Sequence, residues 1–362
     1  MQRILVLEPY YGGSHKHFLE GLQSHVAADY TLFTLPARKW KMRMQVSAIW
    51  FIDQLKALPP DKRRFDTVLL SSFVDAAVFR SMLHQVSGWD HQTSIVTYFH
   101  ENQFVYPLQP GQATSHQFIA INFHSALASD SIAFNSSYNR DSFIKGCQEF
   151  QKRVSDMELP DLAQTLLVKS RILHPGIDFQ VIDNNSWREH YRIPTIVWNH
   201  RWEHDKNPEA FFEALFELEK RGIEFQLLIL GQSFGNCPHC FKEAELRFKK
   251  RIVHHGFADT YQRYAELLSR GDIVVSTARH EFFGIAVIEA VRAGCVPILP
   301  NRLSYPELFD SRVLYCDNSL AGTLEAVIRK GKRLERLEAK LMTERFSWQE
   351  VADDYGQWLF GR

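Results

Sequence analysis

The chain has 362 residues, more than one hydrophobic core comfortably serves, so two domains are expected. Hydrophobic residues make up 45% and charged residues 23%, and 42 basic residues balance 42 acidic ones; no global field selects a nucleic acid or a membrane as partner. No apolar run approaches the length of a membrane span, and five scattered cysteines, an odd number, point to reduced thiols in a cytoplasm-like compartment.

The N-terminal apolar run, residues 3–9, is broken by Glu8 and Pro9, which suits a first strand better than a signal peptide. YYGGSHKHFLEGL follows, so strand, glycines and helix succeed one another, the layout that lets a backbone approach an anion. The GxGxxG spacing is absent, and Gly12 and Gly13 either serve that approach or simply make the turn. Strand-like runs recur at 30–35, 67–72, 94–99, 131–135 and 171–174 with helix-like segments between them, which predicts a parallel sheet covered on both faces.

Between Tyr30 and Ile52 there is no acidic residue, while Arg38, Lys39, Lys41 and Arg43 cluster around Trp40. Basic residues interleaved with aromatics suit phosphates and stacked bases; a solvated helix face is the alternative. At the end of the fourth strand stands FHENQF, which puts His100, Glu101 and Asn102 on the ligand side of an open α/β sheet. The spacing is not HExxH, so metalloprotease chemistry finds no support.

Turn residues at HPGID and the polar run to Pro194 read as an interdomain connection. A second series then follows, with strands at 195–199, 225–230, 254–257 and 295–299 and helices at 207–221, 261–269 and from 304. A long charged helix is expected before residue 254. Cys237-Pro-His-Cys240 in that region admits three readings: zinc, a redox pair, or an ordinary turn before a helix.

Two stretches of this half carry chemistry. NHRWEHDKNP places Arg201 and Lys206 just past the first strand, a guanidinium fork and a point charge suited to a diphosphate. EFFGIAVIEA places Glu281 and Glu289 on either side of a helix start, whose unpaired N–H groups favour a phosphate. Carboxylates about 12 Å apart along a helix axis are poorly placed for paired-acid glycoside hydrolysis and better placed to hold two ends of a nucleotide-diphospho-sugar.

EFFGIAVIEAVRAGCVPIL, together with NHRWEHDKNP, the early Gly-Gly turn and the final FSWQEVADDYGQWLF helix, resembles the family-four retaining glycosyltransferases. EPYYGGSHKHF, LPARKWKMRMQVSAIWF and YFHENQFVYP are similar to the N-terminal domain of tRNA-queuosine α-mannosyltransferases. The resemblance implies an α/β, GT-B fold: two Rossmann-like doubly wound parallel-sheet domains facing a cleft (1–180 for the acceptor, 181–345 for the donor), with a C-terminal helix, 346–362, crossing back to the first. It also implies roles. Arg201 and Lys206 would hold the diphosphate, Glu281 the sugar hydroxyls and Glu289 the ribose. Phe283, Gly284 and Ile285 would present backbone at the phosphates, with Gly12 and Gly13 on the opposite side. His100 would stand by the reacting sugar, while His15, Arg38, Lys39, Trp40, Lys41, Arg43, Glu101 and Asn102 are candidates for the acceptor.

The implied reaction moves mannose from GDP-mannose to the queuosine base of a tRNA anticodon loop, with retention, no metal and no cofactor beyond the nucleotide-sugar. Two alternatives stand beside it. One is a related glycosyltransferase using a GDP- or UDP-sugar on a glycan or lipid. The other is a non-catalytic tRNA- or nucleotide-binding protein.

Overall fold

The computed structural model describes the chain except residues 108–115, 154–155, 186–192, 234–236, 318, 332 and 362. It resolves into two compact units, Met1–Ile177 with Trp348–Arg362, and Asp178–Ser347.

The first unit is built on a parallel sheet of β1 (Arg3–Tyr11), β2 (Asp29–Pro36), β3 (Thr67–Ser71), β4 (Ser94–Phe99), β5 (Ser131–Phe134) and β6 (Ser170–Ile172), in the order β2-β1-β3-β4-β5-β6. In β1 successive side chains serve opposite faces, as strand geometry requires. Ile4 and Val6 join Phe18, Leu22, Tyr355 and Trp358 on one face, while Leu5 and Leu7 join Phe51, Leu55 and Phe79 on the other. Burial on both faces is why the strand reads as a continuous apolar run.

The helix Trp348–Phe360 belongs to this unit. Trp348 fills space left by two missing side chains: a Cβ on Gly21 would fall 2.0 Å from its indole, and one on Gly176 2.2 Å. Tyr355 Oη donates toward the carbonyls of Leu173 and His174, at 3.2 and 3.0 Å, and Trp358 Nε1 donates to Ser131 Oγ at 2.9 Å.

The second unit has a parallel sheet of β7 (Thr195–Asn199), β8 (Gln226–Leu230), β9 (Ile252–Gly256), β10 (Ile273–Val275), β11 (Val296–Pro300) and β12 (Leu314–Tyr315), ordered β12-β11-β10-β7-β8-β9. Arg292, 5% exposed, pins its periphery, reaching Asp183 at 2.6 Å and Glu344 at 2.7 Å while its guanidinium lies 4.5 Å from the Phe179 ring centre.

Some boundaries differ from expectation for identifiable reasons. The run at 171–174 pairs only over Ser170–Ile172, because His174 turns to place Nδ1 2.9 Å from the Asn135 carbonyl. The strand expected at 254–257 runs Ile252–Gly256 and leaves Phe257 62% exposed. The long charged helix is the short Cys240–Arg247, which starts after Pro238, a residue that cannot donate within a helix.

Candidate functional site

In the second unit the residues expected to hold a donor lie beyond the C-terminal ends of β7 and β10, which are hydrogen-bonded neighbours. After β7 the chain makes a tight turn at His204–Lys206, then Asn207 takes a left-handed conformation (φ 51°) and Pro208 opens the helix Pro208–Lys220. This folds Lys206 inward to 6% exposure, while Arg201 stays half exposed, 3.0 Å from Glu203. Thr277 Oγ1 donates to the Lys206 carbonyl at 2.9 Å and Arg279 N to the Asp205 carbonyl at 2.8 Å, so the two loops are stitched together.

Lys206 Nζ donates to the His280 carbonyl at 2.7 Å and lies 3.1 Å from Asp205 and 3.3 Å from Glu281. Burial opposes its charge, but the carboxylates of Glu281 and Asp205 outweigh burial and hold its pKa above the ordinary lysine value. Burial likewise opposes charge on Glu281, and Lys206 overrides it, so that carboxyl titrates below the usual range. His200, buried next to Lys206, is pushed down to about 4 by burial and that cation. The loop therefore presents a fixed charge pair with a neutral imidazole behind it.

Glu281 stands in the loop rather than in the helix, which runs Ile285–Arg292. Gly284 precedes the helix at φ 104° and provides no side-chain cap; a Cβ there would sit 3.2 Å from the Tyr305 ring. An uncapped start beside a buried cation is suited to an anion. Phe283 and Ile285 flank it, Phe283 with its carbonyl accepting from Ser304 Oγ at 2.9 Å.

Glu289, about one turn into the helix, accepts from Tyr261 Oη at 2.9 Å and Tyr264 Oη at 3.1 Å. Asn199 in turn donates to the Tyr264 hydroxyl at 2.8 Å. Burial raises the Glu289 carboxyl to about 7 although both tyrosines favour the anion. Sequence reasoning does not single out Asp205, Tyr261 or Tyr264. Asp205 stands inside the Arg201–Lys206 motif, whereas the tyrosines offer only an i, i+3 spacing on a helix.

In the first unit a second cluster forms where β1 and β4 end and the helix Gly13–His25 begins. Gly13 is left-handed (φ 52°) with open space around it, and a Cβ on Gly12 would lie 2.5 Å from that of Ala37. His15 is 4% exposed. Its Nδ1 lies 2.9 Å from Glu8 Oε2 and its Nε2 4.0 Å from Glu101, and its ring is layered between Phe73 (5.3 Å) and His100 (4.0 Å). Burial opposes charge on His15, yet Glu8 and Glu101 prevail and raise it to about 10. His100 moves the other way, well below the ordinary histidine value, through burial and the adjacent His15.

Two acceptor candidates are enclosed within the first unit. Asn102 is fully buried and spends its side chain inside the fold, with Nδ2 donating to Asn139 and Ser142 and Oδ1 accepting from Phe104 N. His15 is buried against Phe73 and His100. Arg38, Lys39 and Lys41 are exposed and Arg43 is half-buried around the start of the helix Trp40–Ala57. Lys39 there is left-handed at φ 54°. Trp40 is half-buried, stacked on Phe73 at 5.7 Å and packed against Tyr106 and Phe118, with Lys41 Nζ 5.6 Å from its ring centre.

Glu8, His15 and His100 offer ligand atoms within 4.8 Å of one another. His15 already spends one nitrogen on Glu8, and its ring lies only 31° from the plane of His100. Cys237 and Cys240 are free thiols, and among the described residues no third ligand joins them in metal-binding geometry.

Residues 3–177 match the family model described as tRNA-queuosine alpha-mannosyltransferase N-terminal, and residues 184–343 match glycosyl transferases group 1. A tRNA-queuosine alpha-mannosyltransferase of Drosophila melanogaster is 31% identical over 97% of this chain and 95% of its own length. A GDP-mannose:cellobiosyl-diphosphopolyprenol alpha-mannosyltransferase of Xanthomonas campestris is 29% identical over 36% of this chain and 34% of its own. Among solved structures, a sucrose-phosphate synthase from Thermosynechococcus elongatus superposes with a TM-score of 0.70 at 15% identity, covering 99% of this chain and 98% of its own. The catalytic domain of starch synthase IV from Arabidopsis thaliana gives 0.71 at 12%, covering all of both chains; at such identities these two show the GT-B fold alone. With a full-length relative and both halves matched, the chain belongs to the tRNA-queuosine alpha-mannosyltransferase family of glycosyltransferases.

Proposed function

We propose that this protein transfers mannose from GDP-mannose to queuosine in a tRNA anticodon loop, with retention of configuration, in the cytoplasm. The observation that carries the acceptor is the match of residues 3–177 to the queuosine-specific N-terminal family. The donor is supported by the pairing of buried Lys206 with Glu281 at an uncapped helix start and by relatives named for GDP-mannose. Among the described residues no helix is long and apolar enough to cross a membrane.

In the proposed step the bond between the anomeric carbon and the diphosphate oxygen breaks, giving an oxocarbenium-like transition state. Negative charge grows on the departing diphosphate. Arg201, Lys206 and the N–H groups from Phe283 to Ile285 neutralise it, stabilising the charge that develops in the transition state. An acceptor hydroxyl attacks from the same face, and its proton passes to a departing phosphate oxygen. Glu281 orients sugar hydroxyls, Glu289 the ribose, and His100 stands by the sugar. On the first unit, Gly12 and Gly13 would let backbone approach the diphosphate, and Glu101 with the basic segment Arg38–Arg43 would meet the tRNA.

The test is to incubate the protein with queuosine-bearing tRNA and, separately, GDP-mannose and UDP-glucose, then weigh the digested nucleosides. A hexose gain on queuosine with GDP-mannose alone is expected. A gain with UDP-glucose alone would overturn the donor, and nucleotide-sugar turnover onto a glycan or lipid but never onto queuosine would overturn the acceptor.

A further inference from the structure

The buried ion pair of the first unit, Glu8 with His15, has no part in the proposed transfer step. Glu8 is 1% exposed at the end of β1, where the pairing with β2 shifts register between Glu8 and Tyr11. Both its oxygens are engaged: Oε1 accepts from Tyr10 N at 2.7 Å and Oε2 faces His15 Nδ1 at 2.9 Å. A buried carboxylate and imidazole are costly to desolvate and are replaced by apolar packing with little loss in many folds. Here the pair is held against His100, and His100 is fixed on its other sides by the edges of Phe18 at 4.9 Å and Tyr98 at 4.7 Å.

We propose that Glu8 and His15 are positioning residues for His100: the carboxylate fixes the His15 ring, and that ring, stacked on His100, sets the orientation and charge state of the imidazole that meets the sugar. The proposal rests on the reading that His100 contacts the reacting sugar. The groups facing His15 are Glu8, Glu101, His100, Tyr10 and Phe73, and those facing His100 are His15, Phe18 and Tyr98. Two acids on the rim of His15 and a second imidazole on its face make one proton on the pair settle on His15. His100 is then left neutral, able to accept a hydrogen bond from a sugar hydroxyl as well as donate one.

The test is the pH profile of kcat/KM for His15→Asn, which keeps a donor near Nδ1 for Glu8 but cannot carry charge, and for Glu8→Gln, which removes the anion. In the wild type burial and the charged His15 together hold the His100 imidazole low. Without a cation roughly 4 Å away the acidic limb from His100 should move up by about one pH unit or more. Glu8→Asp should restore part of the wild-type profile. Thermal unfolding and GDP-mannose binding by calorimetry identify a variant that merely misfolds, and the pH profile of the other variant then decides. Variants that fold, bind donor and keep the wild-type profile would overturn the proposal. Full turnover by His100→Ala would instead overturn the placement of His100, a separate failure.

Discussion

Arg201 and Lys206 serve the same proposed charge but sit differently, and their substitutions separate chemistry from folding. Arg201 is half exposed, so Arg201→Ala should change stability by less than about 0.5 kcal/mol while lowering kcat/KM by roughly a hundredfold or more. Equal turnover in that variant, measured beside its unfolding curve, would contradict the donor assignment. Lys206→Ala leaves Glu281 and Asp205 without their buried partner and should cost about 3–5 kcal/mol in addition to activity. Glu289 gives a pH test. Its folded carboxyl is raised to about 7 from an ordinary 4.5, so its contribution is fully present below 4.5 and is lost as pH rises through 7. The loss is about 3 kcal/mol. Glu289→Gln should flatten stability against pH over that window; an unchanged slope would show that the two tyrosines keep the carboxylate ionised. Arg201, Lys206, Glu281 and Glu289 were legible because motif and chemistry coincide along a few residues. Tyr261, Tyr264 and the Glu8–His15 pair were not, because each partnership joins segments that only the fold brings together, and Asn102 looked available because a polar residue at a strand end carries no sign of Asn139 opposite it.

The elements that deliver these side chains repeat one device, a strand ending in a turn that a helix follows. At Gly284 the turn needs φ 104°, which a β-carbon disfavours, and Tyr305 crowds the position. Gly284→Ala should cost roughly 1–2 kcal/mol, with weaker donor binding by calorimetry; wild-type values for both would argue against a close phosphate approach. Strands were readable from sequence because burial on two faces leaves long apolar runs, and their ends were less so. The helix at Cys240–Arg247 shows why: charged residues on both sides suggested more helix, but Pro238 and the turn into β9 limit it to eight residues. The helix Trp40–Ala57 begins among Arg38, Lys39, Lys41 and Arg43 without an acid in its first turn. If it meets tRNA, replacing those four by alanine should reduce the slope of log affinity against log salt by about 3. An unchanged slope would make it the solvated face that its composition also allows.

Across the whole molecule the relatives divide the work. Group 1 glycosyltransferases match residues 184–343, the half proposed to hold the donor, whereas the match to residues 3–177 is what singles out queuosine. The C-terminal helix completes the latter unit, since its aromatics supply part of the sheet's packing on one face. Trp348→Ala should empty a site bounded by Gly21 and Gly176 and cost about 3–5 kcal/mol in chemical denaturation. A loss below 1 kcal/mol would mean that the helix is dispensable to the core. What the two units together are proposed to serve is transfer to one modified base. The most direct measurement compares two samples of one tRNA, differing only in queuosine or guanosine at the modified position, each incubated with GDP-mannose and digested for nucleoside mass. A hexose gain on queuosine and none on the guanosine tRNA is the predicted result. Equal labelling of both, or GDP release with neither labelled, would contradict it.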